Sequence, residues 1–399
     1  MMKKQAHSHL TAEKLVPLLH EFVQFPSEQT DLQEADPAVH AFIRDCAAPR
    51  FREAGAEIRF DAHGNLIAEA GPVDGRASLL FVAYAMTHPA NRMTDPFAPR
   101  NIETDRGPAV RGRGVAEQKT ALTAVLGALA QAIEEDRLDG RLTVVLTTAG
   151  ETGRHDAVRA AMADIARTPD HAVICIGTDG RIATGNKGRI DFDIQVHGKA
   201  SHSSAPWNGI NALSGARRVL EALEDFDLDV ADHPTFGPAT LTPTALKTLP
   251  NATHTVPDTA IITYDRRVLP GEVPEQAFEA LTSRIGIDAP WSLSFEPGPI
   301  MYPNELDETG PFFAKLRSAF DRSGYRRAES FACNFALDAG FFAREGAAAV
   351  MLGPGEVAQF HSDEENVLVE DLVGIAKVYY ELICECVGET REAGQDARG

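Results

Sequence analysis

The sequence predicts an α/β protein, a mixed sheet covered by helices and interrupted in mid-chain by a small inserted α+β domain. Three observations carry this expectation. Apolar runs at Ser78 to Val82, Leu142 to Leu146 and Ala172 to Ile176 read as buried strands, and Leu122, Val125, Leu126, Leu129 and Ile133 recur at helical spacing between two of them. That is a βαβ rhythm, which favours a parallel or mixed sheet. After Gly188 the period changes: Ile190, Phe192, Ile194 and Val196 alternate with Asp191, Asp193 and Gln195, as in a strand with one buried face. From about Gly310 the first rhythm resumes, with Ala347 to Leu352 as a buried strand and Leu368 to Val387 as a long terminal helix.

The elements of the insert follow in order. A helix is expected from about Asn211 to Phe226, a strand over Ala260 to Val268, a helix over Pro274 to Arg284, and a last strand in which Trp291, Leu293 and Phe295 alternate with serines. A chain of 399 residues exceeds the size at which one core stops growing, so two domains are expected. The first is discontinuous, built from residues 1–188 and 303–399, and the insert covers 189–302. No internal repeat or low-complexity tract occurs, and only the tail after Gly388 reads as disordered.

Composition narrows the function classes. A formal charge of −20 argues against nucleic acid or an anionic membrane as a partner, since either needs a basic face. No stretch of about 18 apolar residues is present. Met1-Met2-Lys3-Lys4 leads into polar sequence, so a cytoplasmic location is expected. The five cysteines, Cys46, Cys175, Cys333, Cys384 and Cys386, form no CxxC pair and read as reduced thiols.

Polar residues with chemical potential cluster where strands end. Glu117 sits in the loop Gly112-Arg113-Gly114-Val115-Ala116-Glu117-Gln118-Lys119 as a helix begins, a position where an acidic residue ordinarily stabilises the helix dipole. Glu151 follows the strand ending near Leu146, Asp179 follows the strand ending at Ile176, and His361 follows the loop Gly353-Pro354-Gly355. Singly, each is what an ordinary loop holds. Together they are three carboxylates and an imidazole at strand ends or helix starts of one sheet, and the carboxyl ends of strands are where open α/β sheets build their sites. That donor set suits zinc, manganese or cobalt.

The ordered series of motifs resembles the metallopeptidase and deacylase family of acetylornithine deacetylase, succinyl-diaminopimelate desuccinylase, aminoacylase and glutamate carboxypeptidase. It runs through Gly64-Asn65, Asp95-Pro96-Phe97, Gly112 to Lys119, Glu151-Thr152-Gly153, and Gly198-Lys199-Ala200-Ser201-His202-Ser203-Ser204-Ala205-Pro206 with Gly209-Ile210-Asn211-Ala212. It continues through Pro257-Asp258, Asp265-Arg266-Arg267, Asp338-Ala339, Gly353-Pro354-Gly355 and His361 to Glu365. The resemblance implies a zinc-peptidase-like mixed sheet with an inserted lid, pairing of two subunits through the lid, and one or two divalent ions per chain.

Carried over residue by residue, the resemblance is uneven. Glu117 stands where the family has a bridging aspartate, and Glu151 and His361 match the remaining ligands of one ion. Asp179 matches a ligand of the second ion after a small shift in register. The histidine of that second ion is replaced by Tyr84, and its supporting aspartate by Met86. His88 is a substitute ligand or proton acceptor, or a plain turn histidine before Pro89. The family's general base precedes Glu151, and here that residue is Gly150. In the insert, His202 matches the histidine that reaches the partner subunit's site and stabilises an oxyanion, Arg267 matches the residue that grips a substrate carboxylate, and Asn211 belongs to the same motif. The asparagine ahead of Pro257 is replaced by His254.

The expected function is metal-dependent hydrolysis of an amide or related C–N bond in a small carboxylate-bearing substrate, an N-acyl amino acid or peptide-like molecule. Two alternatives stand beside it: a silent relative that keeps the pocket as a binding module, and a family enzyme diverted to deamination or ring opening.

Overall fold

The structure, a computed structural model, describes residues 8–388 apart from Glu151 and Arg327. The chain divides into two compact units, each described separately below. The first takes the chain up to Gly185, then Leu306–Phe331, then Phe342 onward; the second takes Asn186–Glu305 and Ala332–Phe341. Sequence periodicity assigns residues 332–341 to the resumed first domain, because a short loop-rich segment carries no periodic signal of its own.

The first unit is built on a mixed sheet whose strands run, from one edge, Glu57–Phe60, Leu66–Ala70, Arg141–Thr147, Ser78–Tyr84, His171–Ile174, Ala348–Met351 and Ile182–Asn186. The four consecutive strands from Arg141–Thr147 to Ala348–Met351 are mutually parallel. Ser78–Tyr84 and Arg141–Thr147 are buried at every position, which is why they read as continuous apolar runs without alternation. The flanking pairings of Leu66–Ala70 with Arg141–Thr147 and of Met351 with Ala183 are antiparallel. Helices Ala12–Gln24, Lys119–Glu134, Pro311–Ser323 and Val369–Val387 bury their apolar stripes in one continuous core with the sheet, from Leu15 and Leu19 through Leu122 and Val125 to Leu372 and Ile383. The expected mixed sheet with helical cover is therefore what the chain forms.

The second unit is a four-stranded antiparallel sheet in the order Thr240–Leu249, Thr259–Val268, Gly188–His197, Ser292–Met301. Helices Ala212–Leu223 and Pro274–Thr282 cover one face, burying Phe192, Ile194, Val196, Ile262, Tyr264 and Leu281. Strict burial alternation along Gly188–His197 and Thr259–Val268 explains their period of two. Periodicity misses the edge strand Thr240–Leu249. It is exposed along nearly its whole length, so burial imposes no alternation on it, and Pro243 precedes a break in its register. All five cysteines are free thiols.

Candidate active site

The carboxyl ends of the parallel strands deliver the polar loops to one end of the first unit. Tyr84 lies in register with Thr147 at the ends of their strands. The ladder continues past both: Ala85 N donates to Thr147 O at 3.0 Å and Met86 N to Ala149 O at 3.2 Å. On the other side, Gly177 N donates to Glu117 O at 3.0 Å and Asp179 N to Gly355 O at 2.9 Å, so the loops of Glu117, Asp179 and His361 are tied by their backbones.

Glu117 owes its position to a turn that only glycine can make. Gly114 has φ +82°, and a Cβ there would lie 2.5 Å from Thr87 Cγ2. Two residues after Glu117 the helix Lys119–Glu134 begins. Glu117 Oε2 comes to 3.3 Å from His361 Nε2. Zinc bonds of about 2.0–2.1 Å at tetrahedral angles place two donor atoms about 3.3 Å apart, so this pair fits one edge of a metal site. His361 itself has φ +59°, an αL conformation that bulky residues rarely adopt, at the loop position that aims its ring. The ring of His88 stacks on it with centroids 3.7 Å apart and planes inclined by 16°.

The remaining expected ligands divide. Glu151 lies outside the described residues. Asp179 does not join the pair: its Oδ1 accepts from Val357 N at 2.8 Å and its Oδ2 is bound by Arg181 at 2.7 Å, so its carboxylate braces the loop leading to His361. Among the described residues no three His, Cys, Asp or Glu side chains stand close enough together to hold a metal ion.

The other half of the expected site is closed and apolar. Tyr84, Ala85 and Met86 are at most 1% exposed. Gly150, where the resembled family has its general base, packs on the chain at Met86. A Cβ at Gly150 would lie 2.2 Å from Met86 O and 3.0 Å from Met86 Cβ. The missing carboxylate is thus more than a substitution; the backbone has closed over the space its side chain would need.

Three polar residues of the first unit emerge only in three dimensions. Lys119 is wholly buried, donates to Phe22 O and Phe25 O at 2.7 Å each, and lies over the Phe42 ring at 4.6 Å, securing the end of the first helix against the Glu117 loop. Burial lowers its pKa to about 7. Arg113 and Glu365 form a fully buried ion pair at 2.9 Å. Burial raises the Glu365 pKa, against the opposing pull of hydrogen bonds from the Gly114 and Ala116 amides and the charge of Arg113. Charged residues inside an otherwise glycine-rich motif were the available sign of these roles.

In the second unit, His202 Nδ1 accepts from the Ser204 amide at 3.2 Å and also meets Ser204 Oγ at 2.8 Å. A backbone N–H can only donate, so the neutral ring carries its proton on Nε2 and presents a donor outward. Arg267 is held by Asp265 through two contacts of 2.9 and 3.1 Å, while its Nη1 makes a single 3.5 Å contact with Asn334 O. Asn211 caps the helix Ala212–Leu223, with its side-chain oxygen accepting from Leu213 N at 2.9 Å and its backbone oxygen accepting from Trp291 Nε1 at 2.9 Å. The fold accounts for that asparagine without a substrate.

Comparison with known proteins agrees with this architecture. Residues 184–292 match the family described as Peptidase dimerisation domain. The acetylornithine deacetylase of Myxococcus xanthus is 28% identical over 334 residues, covering 77% of this chain and 80% of that protein. The succinyl-diaminopimelate desuccinylase of Phenylobacterium zucineum is 28% identical over 216 residues, covering 51% and 55% of the two chains. A metallo-carboxypeptidase of the M20 family from Sulfolobus solfataricus superposes with a TM-score of 0.76 at 15% identity, over 93% of this chain and 98% of that one. The chain thus carries a stretch matching the Peptidase dimerisation domain and is similar in sequence to acetylornithine deacetylase and succinyl-diaminopimelate desuccinylase and in fold to an M20 metallo-carboxypeptidase.

Proposed function

We propose that the protein is a metal-dependent hydrolase of an amide or related C–N bond in a small carboxylate-bearing substrate, working with a single divalent ion held by Glu117, Glu151 and His361. The observation that carries this reading is the 3.3 Å approach of Glu117 Oε2 to His361 Nε2, from loops 244 residues apart in the chain (361 less 117). Zinc, manganese or cobalt would satisfy such donors. An ion held there would supply Lewis acidity, lowering the pKa of a water and polarising a carbonyl.

The chain's own groups supply the rest. Stacking against His88 fixes the plane of His361. His88 Nδ1 lies 3.1 Å from Pro89 O. The side-chain amide nitrogen of Asn91 lies 3.3 Å from the same ring nitrogen. His88, stacked on His361, is the imidazole placed to take up a proton, the task for which Gly150 has no side chain. Within the second unit, His202 Nε2–H is a donor of the kind that suits a developing oxyanion, and the Arg267 guanidinium is of the kind that suits a carboxylate.

One observation favours a second reading, a silent relative that binds without turnover: the closure of the Gly150 and Met86 region. A panel of N-acyl amino acids and short peptides decides between the two. Hydrolysis that falls by about 100-fold or more in both Glu117→Ala and His361→Ala supports the enzyme. Tight substrate binding with no turnover in the metal-loaded wild type supports the silent relative.

We further propose a homodimer formed through the second unit. Its edge strand Thr240–Leu249 leaves Leu246 44% and Leu249 51% exposed, and an open strand edge is a ready pairing surface. Sedimentation equilibrium of wild type and Leu246→Lys tests it; a monomeric wild type contradicts it. Among the described residues no helix is long and apolar enough to cross a membrane. Five free thiols are in keeping with a reducing compartment such as the cytoplasm.

A further inference from the structure

The loops that carry Glu117 and His361 are joined by one buried carboxylate. Glu365 is 1% exposed. Its Oε2 accepts from Arg113 Nη1 at 2.9 Å and from Gly114 N at 2.9 Å, and its Oε1 accepts from Ala116 N at 2.8 Å, the residue next to Glu117. Its backbone oxygen accepts from Gly112 N at 3.3 Å. Residue 365 lies four positions after His361, and the chain beyond it pairs through Asn366 with Arg111 at the entrance of the Glu117 loop. Arg113 extends the connection to a third loop, donating from Nη2 to Ala90 O at 3.1 Å, two residues from His88.

Such an arrangement is more than a stabilising ion pair. A buried pair needs one partner for each charge, and Arg113 alone would satisfy that need. Glu365 instead distributes its two oxygens over the amides of Gly114 and Ala116 in the loop that presents Glu117, while its own backbone belongs to the segment that presents His361. Outer groups of this kind fix the orientation of metal ligands, and replacing them typically weakens ion binding by about 10- to 100-fold.

We propose that Glu365 is a positioning residue whose carboxylate sets the separation of Glu117 from His361 by holding the first loop to the second. The inference rests on the reading that these two residues hold an ion. Glu365→Gln keeps an oxygen for Arg113 and Gly114 and turns an NH2 group toward the Ala116 amide, so the clamp loosens at the residue next to Glu117 with little change in volume.

Two quantities are read on the full chain. Hydrogen exchange followed by mass spectrometry is expected to speed up by about 10-fold or more over residues 112–119 and 353–366 together. Zinc titration of the metal-free protein is expected to show affinity weaker by about 10- to 100-fold. Glu69→Gln is the control, a carboxylate equally buried and held by Arg141 at 3.1 Å away from both loops, and its zinc affinity stays at the wild-type value. If Glu365→Gln fails to fold, Glu365→Asp keeps the charge beside Arg113 but is one methylene short of spanning both amides, and gives the same pattern. A folded Glu365 variant with wild-type zinc affinity overturns the proposal, whatever its exchange rates. A wild type that binds no zinc, with both loops still loosened in Glu365→Gln, overturns the metal reading and leaves the clamp.

Discussion

The two halves of the expected site share one sheet and one set of strand ends, yet they have gone opposite ways. Around Glu117 and His361 the loops are braced by the carboxylates of Asp179 and Glu365, and the two side chains meet at 3.3 Å. Around Tyr84 and Gly150 the polar residues are gone, the side chains are buried, and the backbone at Gly150 leaves no room for a Cβ. The contrast teaches that one half can be closed as a packed core while its neighbour keeps a carboxylate and an imidazole in close approach.

The largest effect is expected where that closure is forced open. Gly150→Glu would restore the family's base in sequence, but its Cβ meets Met86 O at 2.2 Å, so the strand ends must separate. Overpacking against backbone should destabilise the protein by about 2 kcal/mol or more. Chemical denaturation checks this, and a stable variant with enhanced activity would erase the contrast between the halves.

A smaller effect tests the bracing of the polar half. Lys119, with its pKa lowered from 10.5 to about 7 by burial, binds a proton in the unfolded chain that the folded chain has lost above pH 7. Stability therefore rises with pH from about 7 upward, by at most about 1.4 kcal/mol per pH unit for one group. The window ends near pH 9, where thiols of the unfolded chain ionise while Cys175 and Cys386, with pKa values raised by burial, keep their protons when folded. Urea midpoints of wild type should climb between pH 7 and 9, and those of Lys119→Met should stay flatter. Equal slopes would show that Lys119 keeps its proton throughout.

The smallest effect belongs to the second unit. Ser204→Ala removes the hydroxyl from His202 Nδ1 but keeps the amide that fixes the tautomer. Turnover should fall by no more than about fivefold, below the usual worth of a whole acid or base group. A drop as large as that of His202→Ala would move the decisive contact to the hydroxyl.

Much of this was legible in the residues, for different reasons. Continuous apolar runs such as Leu79 to Val82 and the alternation from Ile190 to Val196 report burial on two faces or one, so the sheets could be read from them. The exposed strand Thr240–Leu249 carries no such signal. Glu117, at a helix start, and His361, in a loop after a strand, were legible as candidate donors because of the motifs around them. What Asp179 does was not, because its sequence position fixes the backbone and not where the carboxylate points; Arg181 and Val357 decide that. Nor does a lone glycine at 150 reveal whether it marks an open space or a closed one.

Metal content of the purified wild-type protein, measured by mass spectrometry after equilibration with excess zinc and removal of unbound ion, probes the difference between the two halves directly. One zinc per chain is the expected result, lost in Glu117→Ala and in His361→Ala and unchanged in Tyr84→Phe. Two zinc ions per chain, or one that survives the loss of both Glu117 and His361, would contradict it.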